Sequence, residues 1–166
     1  MTFEQAWQAM AAELTGAPLM PWPVLVLRLM GAVVLCGAVG YEREAHGRAA
    51  GLRTHILVGL AAAVYTLIMQ DLVGRADQYP DIARTDPIRI IEAVTGGVAF
   101  LAAGMIVFSG DKVRGLTTGA GLWLSAAIGL AVGMGLWPLA LLSTLLALAV
   151  LGMLRLIKPD GPDEDG

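Results

Sequence analysis

The sequence predicts an all-α membrane protein, with five transmembrane helices preceded by a short amphipathic interfacial helix. Three observations carry this. The chain is 57% hydrophobic and only 15% charged, whereas soluble domains are about a quarter charged. Its mean hydropathy is +0.70. Several apolar runs reach the roughly 20 residues that a helix needs to cross about 30 Å of hydrocarbon. With 166 residues, five spans and short connections leave no room for a separate soluble domain.

Residues 1–16 read as the interfacial helix. Phe3, Trp7, Met10 and Leu14 recur at helical spacing opposite Glu4, Gln8 and Glu13, a pattern suited to lying in the headgroup zone. This region holds no Lys or Arg, so a cleavable signal peptide is not expected. Gly16-Ala-Pro and Pro21-Trp-Pro then separate it from the first span, about 22–40. The second span covers about 55–73, and a polar segment with Asp77, Asp81 and Arg84 follows. Asp86-Pro87 suits a helix start, with Asp86 as N-cap, and places the third span at about 88–108. Ser109–Gly115 is a tight polar connection, leading to a fourth span at about 119–136. Pro138 opens the fifth, 138–157, and residues 158–166 form an acidic, Pro/Gly-rich tail expected to be disordered.

Charge placement orients the bundle. One side collects seven cations (Arg43, Arg48, Arg53, Lys112, Arg114, Arg155, Lys158) and the other three (Arg75, Arg84, Arg89). By the positive-inside rule the first side is cytoplasmic, with the N-terminus outside and the C-terminus inside. The net charge of -3 and the scattered basic residues point away from nucleic acid.

Two charges fall within spans, Arg28 and Glu92. Each costs a few kcal/mol or more unless it is paired or reaches the headgroups. At 1.5 Å per residue both lie roughly 7–9 Å below the outer helix ends. An ion pair between them is geometrically reasonable; snorkelling of Arg28 and an ion-pathway role for Glu92 are the alternatives. Asp86 and Arg89 flank them on the outer side. Asp86 and Glu92 are the only weak candidates for holding Mg²⁺, which needs just one or two carboxylates beside its waters; no other cofactor is expected.

Between the first two spans, Glu42, Arg43, Glu44, His46, Arg48, Arg53 and His55 gather with Gly47 and Gly51. Together with Asp111, Lys112 and Arg114, their alternating signs suggest a salt-bridged cytoplasmic platform. No HExxH spacing, P-loop, dinucleotide fingerprint or Ser-His-Asp arrangement occurs, so an enzyme is not expected. Cys36 reads as a buried structural thiol. Gly121, Ser125, Gly129 and Gly133 recur in steps of four on the fourth span. Small residues at that spacing let helices approach closely, either within one subunit or along a homodimer seam.

Gly40-Tyr-Glu-Arg-Glu followed by Gly47-Arg-Ala-Ala-Gly-Leu-Arg-Thr-His55 resembles the signature loop of the MgtC/SapB (YhiD-type) bacterial inner-membrane proteins. Asp86-Pro-Ile-Arg89, Gly97-Val-Ala-Phe-Leu-Ala-Ala-Gly104 and Val113-Arg-Gly-Leu-Thr-Thr-Gly-Ala-Gly-Leu-Trp-Leu-Ser-Ala-Ala127 agree with it in order. The resemblance covers the transmembrane domain only. It implies a multi-pass inner-membrane protein linked to magnesium limitation and acid stress. The expected partners are the lipid bilayer, a second copy, or a larger membrane protein. The expected role is a regulator acting through helix contacts. A transporter or channel for Mg²⁺ or protons, with an outer site around Glu92, Asp86 and Arg28, is the alternative.

Overall fold

Thr2 and Gln5 open the first helix with a reciprocal pair of bonds. The Thr2 amide donates to Gln5 Oε1 at 2.9 Å and the Gln5 amide to Thr2 Oγ1 at 3.3 Å, so two otherwise orphaned donors are satisfied. The computed structural model describes residues 1–15, 20–75, 86, 88–109 and 112–157. Along the described chain run α1 (Phe3–Thr15), α2 (Trp22–Glu44), α3 (Leu52–Gly74), α4 (Ile88–Met105), β1 (Val107–Ser109), β2 (Lys112–Arg114), α5 (Leu116–Met134) and α6 (Trp137–Ile157). The helices α2 to α5 are long and apolar enough to cross a membrane, and α6 adds an apolar run over Trp137–Gly152. On α1, Phe3, Trp7 and Met10 are exposed, as are Glu4, Gln5 and Gln8 beside them.

Helices stand at the five expected places with shifted ends, four of them long and apolar enough to span and α6 a shorter apolar run. α2 continues to Glu44 and α3 begins at Leu52, so the charged hinge is shorter than 40–55. α4 ends at Met105, short of the expected 108, and the polar connection beyond it is a two-stranded ribbon. β1 and β2 pair antiparallel, with Val107 opposite Arg114, Phe108 opposite Val113 and Ser109 opposite Lys112. Gly115, at φ +87, ends the ribbon and starts α5. A Cβ there would collide with the Met105 carbonyl oxygen, so this tight corner requires glycine. Asp111 and residues 77, 81, 84 and 158–166 lie outside the described residues.

α5 is the centre of the bundle. It packs against α2, α3, α4 and α6, most extensively against α3. Two apolar clusters lie about it. One joins Ala32, Cys36, Val39, Ala63, Ile128, Val132, Ala140 and Ala147 across α2, α3, α5 and α6. The other joins Ala50, Val58, Ala62, Val94, Val98, Leu122 and Ala126 across the hinge, α3, α4 and α5. The abundance of Ala and Gly is the physical cause. Burying large apolar side chains confers little between helices already in lipid, so close backbone approach and van der Waals contact must hold the bundle.

Candidate functional site

Polar residues concentrate at the two ends of this bundle, and each end is built by a helix terminus. At the charged hinge, α2 stops in a Schellman motif. The Arg48 amide donates to the Arg43 carbonyl at 3.1 Å and the Gly47 amide to the Glu44 carbonyl at 3.0 Å. Gly47 takes the left-handed conformation, φ +63, that this cap demands. Glu44 then reaches across the hinge, its Oε2 accepting the Leu52 amide at 2.8 Å. A side chain of α2 thereby caps α3 in place of an N-cap side chain of its own, and favours the positive end of the α3 dipole.

Behind this cap, Arg43 and His55 are buried, while Glu42, Arg48 and Arg114 are half-buried and Arg53 is exposed. His46 Nδ1 lies against both the carbonyl and, at 3.3 Å, the carboxylate of Glu42. His55 Nδ1 bonds the Gly51 carbonyl at 2.9 Å; a carbonyl only accepts, so Nδ1 carries the proton. Its Nε2 faces Gly121, where a Cβ would stand 3.2 Å away. Among the described residues neither His55 Nε2 nor Ser125 Oγ has a hydrogen-bond partner. The members of the anticipated platform therefore do share one end of the molecule, apart from Asp111, which is not described.

The other end is organised by Arg28. Its Nη1 donates to Gln70 Oε1 at 2.8 Å and to the Gly133 carbonyl at 2.6 Å, and Gln70 Nε2 donates to the same carbonyl at 3.3 Å. Gly133 belongs to the last turn of α5, whose carbonyls have no intrahelical partner and carry the negative end of the dipole. The bonds from Gly135 to Val132 at 2.9 Å and from Leu136 to Ala131 at 2.8 Å close that end in a second Schellman motif. Arg28 and Gln70 thus tie α2, α3 and α5 together. Beside them an open groove of about 830 Å³ runs between Leu25, Leu67, Gln70 and the Asp71–Arg75 pair. That pair is bidentate, at 2.7 and 3.2 Å.

The expected Arg28–Glu92 contact is absent among the described residues. Glu92 is exposed on α4, and α4 packs on α5 and α3 rather than beside Arg28. Depth alone suggested the pair; the order of helices around α5 separates them. Gln70 is the partner that sequence reasoning missed, and its only signal was a polar residue near the outer end of the second span. Asp86 does cap α4, its Oδ1 accepting the Ile88 amide at 2.9 Å, and Arg89 is exposed one residue further along. Among the described residues no three His, Cys, Asp or Glu side chains gather as a metal site.

The series Gly121, Ser125, Gly129 and Gly133 serves the interior, so it is no seam for a second subunit. A Cβ on Gly129 would strike the Gly59 backbone, and one on Gly133 would stand 2.8 Å from Thr66 Cβ. The Ser125 carbonyl accepts from Cys36 Sγ at 3.4 Å, and a Cβ on Gly59 would strike that sulfur. All four positions face α2 or α3.

A small-residue helix bundle with one charged end and one arginine-tied end defines a multi-pass α-helical membrane protein. The chain belongs to the MgtC family, whose model matches residues 29–159. It is 39% identical over 127 residues to the "Putative magnesium transporter YhiD" of Escherichia coli K12, covering 76% of this chain and 58% of that protein. It is equally similar to the "Protein MgtC" of Brucella abortus, covering 50% of it. To the "Protein MgtC" of Salmonella typhimurium it is 38% identical over 130 residues, covering 78% of this chain and 52% of that protein. The chain thus spans about half the length of the curated relatives it matches. No solved structure matches it.

Proposed function

We propose that this chain is a regulator of membrane physiology linked to Mg²⁺ limitation or acid stress, working by helix contact within a bacterial inner membrane rather than by catalysis. The supporting observation is the character of the interior. Ala32, Val39, Ala63, Leu122, Ile128 and Val132 fill the middle of the bundle, while Arg28, Gln70, Arg43 and Glu44 occupy its ends. A transport path needs polar groups or water at mid-depth, and among the described residues the helix centres supply mainly apolar contact, the exceptions including Thr66, whose hydroxyl donates to the Ala62 carbonyl, and the single hydroxyl of Ser125.

The name of the Escherichia coli relative favours a second reading, transport of Mg²⁺. In that case the exposed carboxylates Asp86 and Glu92 form the outer approach, since hard cations take oxygen ligands. Flux separates the two readings. Purified chain in liposomes is expected to move neither Mg²⁺ nor protons down an imposed gradient. Flux above that of empty liposomes, abolished by Glu92→Gln, would establish the transport reading. A deletion strain that loses growth at limiting Mg²⁺, restored by a flux-silent chain, supports regulation.

A further inference from the structure

α4 carries an unpartnered face of a particular kind. Val94, Val98 and Ala102 are buried against the bundle, and the substantial contacts of α4 among the described residues are with α5 and α3. The opposite side exposes Arg89, Glu92, Gly96, Gly97, Phe100 and Gly104. Glu92 is four residues past the start of α4, roughly 6 Å along its axis. Ionisable side chains within spans face a partner rather than lipid, yet neither Glu92 nor Arg89 forms an ion pair with any described residue of the chain. Phe100 is 83% exposed. Around it a Cβ on Gly96, Gly97 or Gly104 would meet nothing within 4 Å.

This surface is self-complementary. Opposite charges about one turn apart on one face satisfy each other when the same face is presented by a second copy turned about a two-fold axis. A projecting ring flanked by bare glycines likewise supplies both the knob and the hollow, and small residues permit the close approach that drives association in lipid. We propose that two copies of the chain associate through α4 about an axis along the membrane normal. Arg89 of each copy pairs with Glu92 of the other, and Phe100 of each rests over the other copy's glycines. The proposal rests on reading the chain as one that works through helix contacts.

Cross-linking in liposomes that contain only the purified chain tests it. Gly97→Cys is expected to give a disulfide-linked dimer on mild oxidation, whereas Leu145→Cys, on the exposed face of α6, is not. The native Cys36 is buried. Arg89→Glu and Glu92→Arg should each lower the dimer fraction by about tenfold, because like charges then face each other, and the combined swap should restore it to within about threefold. All these positions are exposed on the subunit, and unchanged melting at high detergent dilution verifies each fold. Cross-linking from Leu145→Cys equal to that from Gly97→Cys, or charge reversals without loss, or a swap without recovery, would overturn the α4 seam. Since no other protein is present, that failure leaves the regulatory reading to be decided by flux and growth. An intact dimer in a strain with no Mg²⁺-dependent phenotype counts against regulation alone.

Discussion

A guanidinium inside a membrane span must be satisfied by something, and here the acceptors are an amide oxygen and a helix-end carbonyl instead of a carboxylate. Both bonds from Arg28 have a charged donor, a class worth about 1.5–3 kcal/mol each, and the carbonyl end of α5 adds a favourable dipole. Arg28→Gln is therefore expected to lower stability in detergent by about 2–3 kcal/mol, visible as a fall in melting temperature. Gln70→Leu should cost less by itself. The two losses should be non-additive by about 1 kcal/mol, since they share the Gly133 carbonyl. An Arg28/Glu92 cycle should be additive; coupling there of the same size would show that the ends of α2 and α4 meet after all. The need for a partner to Arg28 was legible in the sequence because the cost of a bare charge in lipid is general. The partner's identity was not, because depth along a helix says nothing of which helices are neighbours.

At the scale of the element, the glycines divide into two populations that the sequence does not distinguish. Gly129 lies where α5 crosses α3 so closely that a Cβ would enter the Gly59 backbone, whereas Gly152 on α6 has open space. Backbone cannot yield as a flexible side chain can. Gly129→Ala is thus expected to cost at least the 1–3 kcal/mol typical of overpacking, and Gly152→Ala to be neutral or stabilising by up to about 1 kcal/mol through helix propensity. Thermal melts in detergent decide; equal behaviour of the two variants would show that α3 and α5 do not cross at Gly59. The ribbon was the element least legible. Val107 to Arg114 lies beside an apolar helix, so its period-two pattern is lost in the hydropathy of the span. The two residues between the paired Ser109 and Lys112, Gly110 and Asp111, are the length and type that favour a tight hairpin. The Asp86 cap was fully readable, because a capping carboxylate is specified by local sequence alone.

For the whole molecule, the hydropathy pattern located the apolar helices α2 to α6 but could not rank them. α5 is central because small residues such as Gly119, Gly121, Ser125, Ala126, Gly129 and Gly133 recur on its buried sides, so four neighbours can approach it, while Leu116, Ala120, Trp123 and Ala127 leave one narrow stripe exposed. That centrality sets the polarity of the bundle. The N-terminal end of α5 meets His55 through Gly121, and its C-terminal end meets Arg28 at Gly135, so the charged hinge and the arginine tie lie at opposite membrane faces. The hinge side holds Arg43, Arg48, Arg53 and Arg114, and on the positive-inside rule we propose that it faces the cytoplasm. Two exposed positions test this in spheroplasts of the host. Thr2→Cys, ahead of the exposed α1, is expected to react with an impermeant maleimide in intact cells. Ala49→Cys, exposed within the hinge, should react only after permeabilisation, and native Cys36 in neither case because it is buried. Labelling of Ala49→Cys from outside with protection of Thr2→Cys would invert the assignment. It would place the Arg28 groove and the Glu92 face toward the cytoplasm, and with them any partner that the α4 surface recruits.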